Sequence, residues 1–331
     1  MRAAVLEEIG PLEKTPLKIK NVPDPEVGPG QVKINVDACG VCHTDLHVVE
    51  GDLDPPDLPL IPGHQVVGRV ESVGEGVEKF DVGDRVGLPW LYSTCGECEF
   101  CRKGLENLCE TAKFTGYDAD GGFAEKVLTE ADFTYSVPEG RAAAELAPLL
   151  CGGVIGYRAY RLSEVERGGN LGLYGFGSSA HMVMQIALHR NDEVYVFTRS
   201  QHHRDLAREM GARWVGGAGD NPPEKMDASI IFAPAGWIVP EALRVLEKGG
   251  TVATAGIHMS PIPEFDYDLL YGERSITSVA NSTRQDVREL LNLGNEIPIE
   301  TEVEVYPFED VNQVLGKLKR SEIKASAVLR F

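Results

Sequence analysis

Apolar and polar residues in the first 150 positions alternate over short runs that turn-forming residues separate. The run from Val32 to Val36 alternates strictly, as expected for a strand with one buried face. Further short strands are predicted from Val66 to Val73 and from Arg85 to Leu88, with Gly-Asp and Gly-Glu-Gly turns between them. Many short strands joined by loops rich in glycine and proline are typical of a β-barrel.

The pattern changes near residue 150, where apolar strands begin to alternate with segments of helical periodicity. The predicted elements are, in chain order, the strand Asn170 to Tyr174, the helix Ala180 to Leu188, the strand Glu193 to Phe197, the helix Arg204 to Met210, the strand Ala228 to Ala233, the helix Pro240 to Glu247 and the strand Thr251 to Ala255. Gly211 is expected to end the second helix, and the pair Gly249-Gly250 the third. The alternation predicts a parallel, doubly wound sheet.

Short strands return near the end of the chain, at Thr301 to Val305 and Ala325 to Leu329. We predict that this segment returns to the first domain and completes it. The 331 residues are enough for about two domains. The predicted fold class is therefore α/β, with residues 1–151 and 288–331 in one domain and residues 152–287 in the other.

Composition and charge exclude several classes of function. The chain is 43% hydrophobic and 25% charged, which is ordinary for a globular protein. Its net charge of -19 would repel phosphates, so we expect no nucleic-acid partner. No run reaches the roughly 18 apolar residues of a membrane span, so we expect neither a membrane span nor a membrane partner. Since no export signal follows Met1, we expect a cytoplasmic protein.

The seven cysteines are clustered, which in a chain without an export signal favours metal ligands over disulfides. Four of them, with the spacing C-x2-C-x2-C-x7-C, are Cys95, Cys98, Cys101 and Cys109. Four thiolates close the tetrahedral shell of zinc and leave no open position, which predicts a structural zinc lobe at about residues 90–112. Disulfides or free thiols are the alternative, but the two-residue spacing occurs twice in succession.

The other three cysteines lie among different polar groups. Cys39 and Cys42 belong to the sequence CGVCHTDLH, His64 follows a proline-rich loop, and Cys151 precedes two glycines. A catalytic zinc needs three protein ligands and one open position, and cysteine and histidine favour zinc over magnesium or calcium. Spacing alone does not choose among these groups, and each taken singly could be a surface histidine or a buried apolar cysteine.

A glycine-rich loop follows the strand that ends at Tyr174. Gly175, Gly177 and Ala180 form the pattern G-x-G-x-x-A at the start of a helix. The two glycines permit a tight turn and close approach to a pyrophosphate, and the third position needs only a small side chain. The helix N-terminus faces the anion. The pattern is weak alone, but the strand before it and the helix after it support a dinucleotide site.

The end of the next strand bears on the choice of cofactor. NAD sites usually place a carboxylate there for the ribose 2′-hydroxyl, whereas this chain has Thr198 followed by Arg199, with Arg204 shortly after. No carboxylate repels a 2′-phosphate, and Arg199 can pair with one. We therefore expect NADP in preference to NAD. NAD remains possible if Arg199 and the histidines after it form only a solvated loop.

The motif GVCHTDLH, the Gly-His pair, the four-cysteine lobe and the Cys-Gly-Gly at residue 151 occur in the order found in the zinc-containing medium-chain alcohol dehydrogenases. The chain resembles this family over essentially its whole length. The resemblance implies a GroES-like β-barrel catalytic domain and a Rossmann cofactor domain. It also implies two zinc ions per chain, an alcohol or aldehyde as small-molecule partner, and a homodimer or homotetramer. Hydride would pass between a primary or secondary alcohol and NAD(P), with zinc as Lewis acid.

The resemblance further implies a role for each matching residue. The catalytic zinc would bind Cys42, His64 and Cys151, which leaves Cys39 as a spare thiol. Asp45 would orient the ligand histidine, and Thr44 would hydrogen-bond the substrate oxygen. His47 would pass the proton to solvent, and His43 would contact the cofactor pyrophosphate. Trp90 would line the substrate pocket.

Two positions depart from the family pattern. Gln65 stands where the family usually has a glutamate that is thought to assist ligand exchange at zinc, so turnover would change while the site is retained. Gly51-Asp52-Leu53 stands where many relatives have a tryptophan, so the pocket would be wider there.

Three other classes of protein are alternatives to this interpretation. A zinc-free quinone reductase of the same two-domain plan would lack Cys42, His64 and Cys151 as a set. A polyol or threonine dehydrogenase remains possible, because pattern does not exclude a substrate. A zinc-stabilised NADP-binding protein without activity would need no open zinc site, so the zinc content separates it from the enzyme.

Overall fold

The computed structural model describes residues 1–323 and 326–331. Its strands are β1 (Arg2–Leu6), β2 (Leu17–Asn21), β3 (Gln31–Val41), β4 (Gln65–Val73), β5 (Arg85–Leu88), β6 (Leu91–Ser93), β7 (Lys113–Phe114), β8 (Lys126–Glu130), β9 (Tyr135–Ser136), β10 (Asn170–Tyr174), β11 (Glu193–Phe197), β12 (Trp214–Gly216), β13 (Met226–Ile231), β14 (Leu246–Thr254), β15 (Ser275–Ser278), β16 (Val303–Pro307) and β17 (Ser326–Arg330). Its α-helices are α1 (His43–Glu50), α2 (Glu99–Arg102), α3 (Ala143–Leu146), α4 (Gly152–Leu162), α5 (Ser178–His189), α6 (Gln201–Glu209), α7 (Ile238–Arg244), α8 (Tyr267–Leu270), α9 (Arg284–Glu296) and α10 (Val311–Lys319). Short 3-10 turns lie at Leu12–Lys14, Glu106–Leu108, Ala131–Phe133, Ala147–Leu150 and Phe308–Asp310.

The described residues form two compact units. One comprises residues 1–151, 283–295 and 300–331, and the other comprises residues 152–282 and 296–299. The domain boundary predicted at residue 288 falls inside α9, whose first turn is fixed by Thr283 and Asp286: the Thr283 amide and hydroxyl both donate to the Asp286 carboxylate. The predicted boundary at residue 288 rested on the pattern of apolar residues, which does not reveal a buried cap formed by two polar side chains. In the described part of the chain no helix is long and apolar enough to cross a membrane.

The sheet of the first unit is built around β3. Its strand order is β16-β17-β3-β4-β5-β9, and β8 pairs with β3 beside this path. One edge of β3 pairs with β4 throughout, while the other edge pairs first with β8 and then with β17. Register shifts at Lys33/Ile34 and Val36/Ala38 bend the strand between its two partners. A Cβ atom on Gly68 of β4 would lie 2.1 Å from the Asn35 carbonyl oxygen, so this crossing requires glycine.

The second unit is a six-stranded parallel sheet of order β12-β11-β10-β13-β14-β15. The chain starts at the centre with β10, adds two strands on one side, and then crosses to add three on the other. This is the doubly wound order of a Rossmann fold, whose ligands bind at the carboxyl ends of the strands where the direction of winding reverses. The reversal lies between β10 and β13. The observed β10 and β11 have the bounds that the sequence predicted.

The predicted end of the helix before β14 is wrong. The helix expected from Pro240 to Glu247 ends at Arg244, and β14 begins at Leu246 and includes Gly249 and Gly250. Leu246 is fully buried and pairs with Met226, and a register shift follows before Thr251 pairs with Ala228. This pairing across the sheet overrides the local helical pattern. The strand predicted from Ala325 to Leu329 is observed at Ser326–Arg330, and Ala325 lies outside the described residues.

A buried ion pair attaches the cysteine-rich lobe to α9. Glu106, only 7% exposed, accepts hydrogen bonds from the backbone amide of Arg284 at 2.8 Å and from its Nε and Nη2 at 2.9 and 2.7 Å. The guanidinium also lies over the ring of Phe133, 4.8 Å from its centroid. The carboxylate therefore binds both the side chain and the first backbone amide of α9.

We expect the substitution Glu106→Ala to lower the free energy of unfolding by about 3 kcal/mol, because it leaves the Arg284 guanidinium half-buried without its carboxylate. Urea denaturation of the zinc-saturated protein measures this change. The matched control is Glu99→Ala, which breaks an exposed i,i+4 pair with Lys103 and should cost about 0.5 kcal/mol or less. Equal decreases in the free energy of unfolding of the two variants would contradict a stabilising role for the Glu106–Arg284 ion pair.

Candidate active site and metal centres

Three of the predicted ligands converge in the first unit. Cys42 follows the end of β3 and caps α1, His64 immediately precedes β4, and Cys151 follows the 3-10 turn Ala147–Leu150. His64 Nε2 lies 3.4 Å from the Sγ atom of each cysteine, and the two Sγ atoms are 4.0 Å apart. The register of the sheet explains this proximity, because Gly40 of β3 lies opposite Gln65 of β4 and the two ligands follow and precede that pair.

These distances suit a single zinc ion. Tetrahedral zinc with its usual bond lengths would hold sulfur and nitrogen ligands about 3.5 Å apart and two sulfurs about 3.8 Å apart. The donor set of two thiols and an imidazole is one that zinc prefers. Among the described residues the cluster comprises three potential ligands, so the fourth position of a tetrahedron is left for a small molecule.

Asp45 holds two of these ligands. Its Oδ1 lies 3.0 Å from Nδ1 of His64, and its Oδ2 accepts the backbone amide of Cys42 at 2.9 Å. The carboxylate is 2% exposed. The carboxylate accepts a hydrogen bond from Nδ1–H, which leaves Nε2, the nitrogen that lies beside the two sulfurs, as the ring atom available to bind a metal. The Cys42 sulfur in turn accepts the amide of Thr44 at 3.3 Å.

The electrostatics of the cluster favour a cation. A hydrogen bond from the Cys151 thiol, despite burial, holds the pKa of Cys42 well below its usual value. The same interaction, together with burial, raises the pKa of Cys151 well above its usual value. Burial opposes the charged form of His64, but Asp45 and Cys42 outweigh it and raise the pKa of the imidazole to about 10.

An aromatic wall lies beside the cluster. The edge of His64 meets Trp90 at a centroid distance of 4.9 Å, and Trp90 stacks on Phe114 at 5.2 Å. Tyr117 is tilted against Trp90 at 5.9 Å, and its hydroxyl donates to the Asp54 carbonyl at 2.9 Å. The sequence indicated Trp90 through the family resemblance, but no spacing or motif indicated Phe114 or Tyr117.

The remaining predicted residues of this region lie on α1. His43 is exposed, Thr44 and His47 are half-buried, and His47 Nδ1 lies 2.9 Å from Oδ2 of Asp52. Sequence reasoning gave Asp52 no role beyond marking the absence of a tryptophan. Gln65 is buried and faces Gly40 across the sheet, where a Cβ atom would lie 2.6 Å from its Oε1, so glycine makes room for the amide.

The structure also brings the four lobe cysteines together. Their sulfur atoms all lie within 4.8 Å of one another, and Cys95 Sγ is 3.9 Å from that of Cys101 and 3.6 Å from that of Cys109. Backbone amides point at two of the sulfurs, from Cys98 to Cys95 at 3.3 Å and from Cys101 to Cys98 at 3.5 Å. Four sulfurs arranged in this way fit a zinc ion with a closed shell and no place for a substrate.

The glycine-rich loop joins β10 to α5 in the second unit. Gly175 has φ +86°, a conformation that favours glycine, and its amide donates to the Phe197 carbonyl at 2.9 Å. A Cβ atom on Gly177 would have no neighbour within 4 Å, so the backbone is open to a ligand there. Ala180 is fully buried. A pyrophosphate fits this arrangement at the N-terminus of α5.

Thr198 follows the end of β11 and carries no charge. Its amide donates to the Gly216 carbonyl at 2.8 Å, and its own carbonyl accepts Nε of Arg204 at 2.8 Å. This bond holds the Arg204 guanidinium at the end of the strand, while Arg199 is exposed beside it. Two cations therefore lie where an NAD site usually has a carboxylate.

Comparison with known proteins agrees with both units. Residues 28–139 match the family model described as alcohol dehydrogenase GroES-like domain, and residues 180–296 match that described as zinc-binding dehydrogenase. A probable alcohol dehydrogenase of Mycobacterium tuberculosis is 45% identical over 99% of this chain and 97% of its own length. The chain belongs to the zinc-dependent medium-chain alcohol dehydrogenases. The family predicted from the motifs, and the pairing of a GroES-like domain with a Rossmann domain, are thereby confirmed.

Further relatives share the whole length of the chain. An alcohol dehydrogenase of Geobacillus stearothermophilus is 37% identical over 100% of this chain and 99% of its own. The crystal structure of the alcohol dehydrogenase from Aeropyrum pernix has a TM-score of 0.86 at 28% identity and covers 100% of both chains. That of CAD from Helicobacter pylori, complexed with NADP(H), has a TM-score of 0.88 at 25% identity over 100% of this chain and 99% of its own.

We expect two zinc ions per chain, and we expect single substitutions to remove them one at a time. Cys42→Ala should leave one zinc and abolish activity, because two ligands hold zinc poorly. Cys98→Ala should also leave one zinc and lower the melting temperature, because the lobe loses its metal. Elemental analysis of the purified variants measures the zinc content.

The matched control is Cys39→Ala, three residues from Cys42. Cys39 is fully buried and belongs to neither group of ligands, so its variant should retain both zinc ions. If Cys39→Ala lost a zinc ion and Cys42→Ala retained both, then Cys39 and not Cys42 would be the zinc ligand.

Proposed function

We propose that the chain transfers a hydride between a primary or secondary alcohol and NAD(P) at the cluster of Cys42, His64 and Cys151. The observation that supports this is a set of three potential zinc ligands with a buried carboxylate behind the histidine. Zinc held there supplies Lewis acidity toward an alcohol or carbonyl oxygen, and the nicotinamide supplies or accepts the hydride. A panel of alcohols and aldehydes, run with both cofactors on protein of known zinc content, tests the proposal and identifies the substrate.

Side chains of α1 would bind the substrate hydroxyl and transfer its proton to solvent. Thr44 lies two residues after Cys42 on the first turn of α1, where its hydroxyl can accept the proton of the substrate hydroxyl and donate its own. His47 lies one turn further along the same helix and can receive that proton on a ring nitrogen before releasing it to water. The aromatic wall of Trp90, Phe114 and Tyr117 would exclude water on one side of the cluster.

We expect His47→Gln to reduce kcat for alcohol oxidation about 10- to 100-fold near pH 7 and much less near pH 10, because hydroxide in solution then accepts the proton. The pH profile of kcat measures the effect. His189→Gln, an exposed histidine at the end of α5, is the control and should leave the profile unchanged. An unchanged profile in His47→Gln would exclude this relay.

We further propose that NADP is preferred over NAD. The uncharged Thr198, the exposed Arg199 and the guanidinium of Arg204 anchored to the Thr198 carbonyl support this preference. The Helicobacter pylori relative was crystallised with NADP(H), which is consistent with it. NADPH commonly serves reductions, so we propose aldehyde reduction as the direction in the cell.

We expect Arg199→Asp to raise KM for NADPH about 10- to 100-fold, the loss that one charge-assisted hydrogen bond to a phosphate would cause. KM for NADH should change little. Steady-state kinetics with both cofactors measures the two constants, and Arg208→Asp, an exposed arginine on α6, is the control. A strong preference of the unsubstituted enzyme for NADH would contradict the proposal.

The proposed assembly is a homodimer or homotetramer. In the described sheet of the second unit β15 is the terminal strand, and Ile276 on it is 36% exposed. Tyr267 and Tyr271 of the preceding segment are 69% and 68% exposed. An open strand edge with apolar neighbours is a common surface for association, and light scattering would distinguish the oligomers from a monomer.

A further inference from the structure

The turn after α1 folds back onto the last turn of that helix. The amides of Gly51 and Leu53 both donate to the carbonyl of His47, each at 3.0 Å. Gly51 has φ +88°, and a Cβ atom on it would lie 2.5 Å from Cγ2 of Ile9. Glycine is therefore required at this position, and the path of the chain into Asp52 is fixed by the backbone.

This turn brings the carboxylate of Asp52 against one nitrogen of His47. Oδ2 of Asp52 lies 2.9 Å from Nδ1 of the imidazole, whose side chain is 26% exposed, whereas that of Asp52 is 69% exposed. A carboxylate only accepts hydrogen bonds unless it is protonated, so it selects the tautomer with the proton on Nδ1. Nε2 is then the ring nitrogen that can receive a proton.

Two other carboxylates of α1 have partners of their own. Glu50 accepts Nζ of Lys319 of α10 at 2.8 Å and the amide of Leu12 at 3.1 Å. The hydrogen bond to Glu50 raises the pKa of Lys319, and the Glu13 and Asp52 charges contribute less. Asp45, on the same helix, binds His64 and the Cys42 amide. Among the described groups Asp52 is therefore the carboxylate that contacts His47.

We propose that Asp52 is a positioning residue for proton transfer by His47, an inference that rests on the proposed function. The carboxylate accepts a hydrogen bond from Nδ1–H and orients the ring with the Nε2 lone pair free. The substrate O–H bond breaks as its proton passes to the Thr44 oxygen, and the Thr44 O–H bond breaks as its own hydrogen forms a bond to Nε2. The resulting imidazolium is stabilised by the Asp52 charge. The proton then leaves Nε2 for water, and Asp52 remains ionised throughout.

The test is a double-substitution cycle of Asp52→Ala and His47→Gln. We expect Asp52→Ala to lower kcat for alcohol oxidation at pH 7 about five- to tenfold with little change in KM, because the ring is less often in the reactive tautomer. Asp52→Asn, whose amide oxygen can still accept a hydrogen bond from Nδ1–H, should recover part of the loss. In the His47→Gln background Asp52→Ala should have no further effect. The control Asp57→Ala, an exposed carboxylate in the same loop, should leave kcat unchanged.

A purely structural role for Asp52 would give a different result. Asp52→Ala would then slow the enzyme equally with or without His47, and that outcome overturns the proposal. Long-range proton–nitrogen NMR of His47 gives a readout independent of turnover: the Nδ1–H tautomer should predominate in the unsubstituted protein and decline in Asp52→Ala. An unchanged tautomer also overturns the proposal. Full activity in His47→Gln would instead reject the relay itself, and the NMR result would still decide whether Asp52 orients the ring.

Discussion

The zinc site depends on a single buried carboxylate. Both oxygens of Asp45 are engaged, one by His64 and the other by the Cys42 amide, so the same group fixes a ligand's tautomer and the start of α1. A buried carboxylate is costly unless it is fully hydrogen-bonded, and here the cost is offset only when both partners are in place. The end of β3, the first turn of α1 and the residue before β4 are therefore held in one arrangement. The distance between Cys42 and His64 follows from that arrangement.

The long sheet of the first unit brings together residues that are far apart in sequence. The pairing of Gly40 with Gln65 places Cys42 beside His64, and the 3-10 turn Ala147–Leu150 brings Cys151 to them. The side chains that act on a substrate or its proton then come from α1, directly after the first ligand. A short helix capped by a metal ligand thus provides the ligand, the carboxylate behind the histidine, a hydroxyl and an imidazole.

Much of this could be predicted from local sequence, and the remainder depends on contacts between distant segments. Cysteine spacing identified the lobe, and the apolar runs at β10 and β11 gave their bounds. The end of α7 was wrong because the pairing of Leu246 with Met226 lies outside any local window. Asp52 had no signature, since a carboxylate five residues after a histidine lies beyond helical spacing and only the Gly51 turn brings it back. Phe114 and Tyr117 reach Trp90 through the pairing of β7 with β6 and the turn after β7, which no local pattern indicated. The thiols were the easiest site residues to find, because zinc constrains their spacing.

The pairing of β17 with β3 has a consequence for the order of assembly. Residues 152–282 form an uninterrupted stretch that is nearly all of the second unit, and the unit is complete once residues 296–299 have been synthesised. The first unit begins earlier in the chain, yet one edge of its central strand stays unpaired along Ala38 to Val41 until Ala327 to Arg330 have been synthesised. Non-local strand pairing of this kind is slow, and the unpaired edge is meanwhile open to other chains. The half of the protein that is made first is thus completed last, and newly made chains meanwhile carry an unpaired edge on the strand that leads to the zinc ligands.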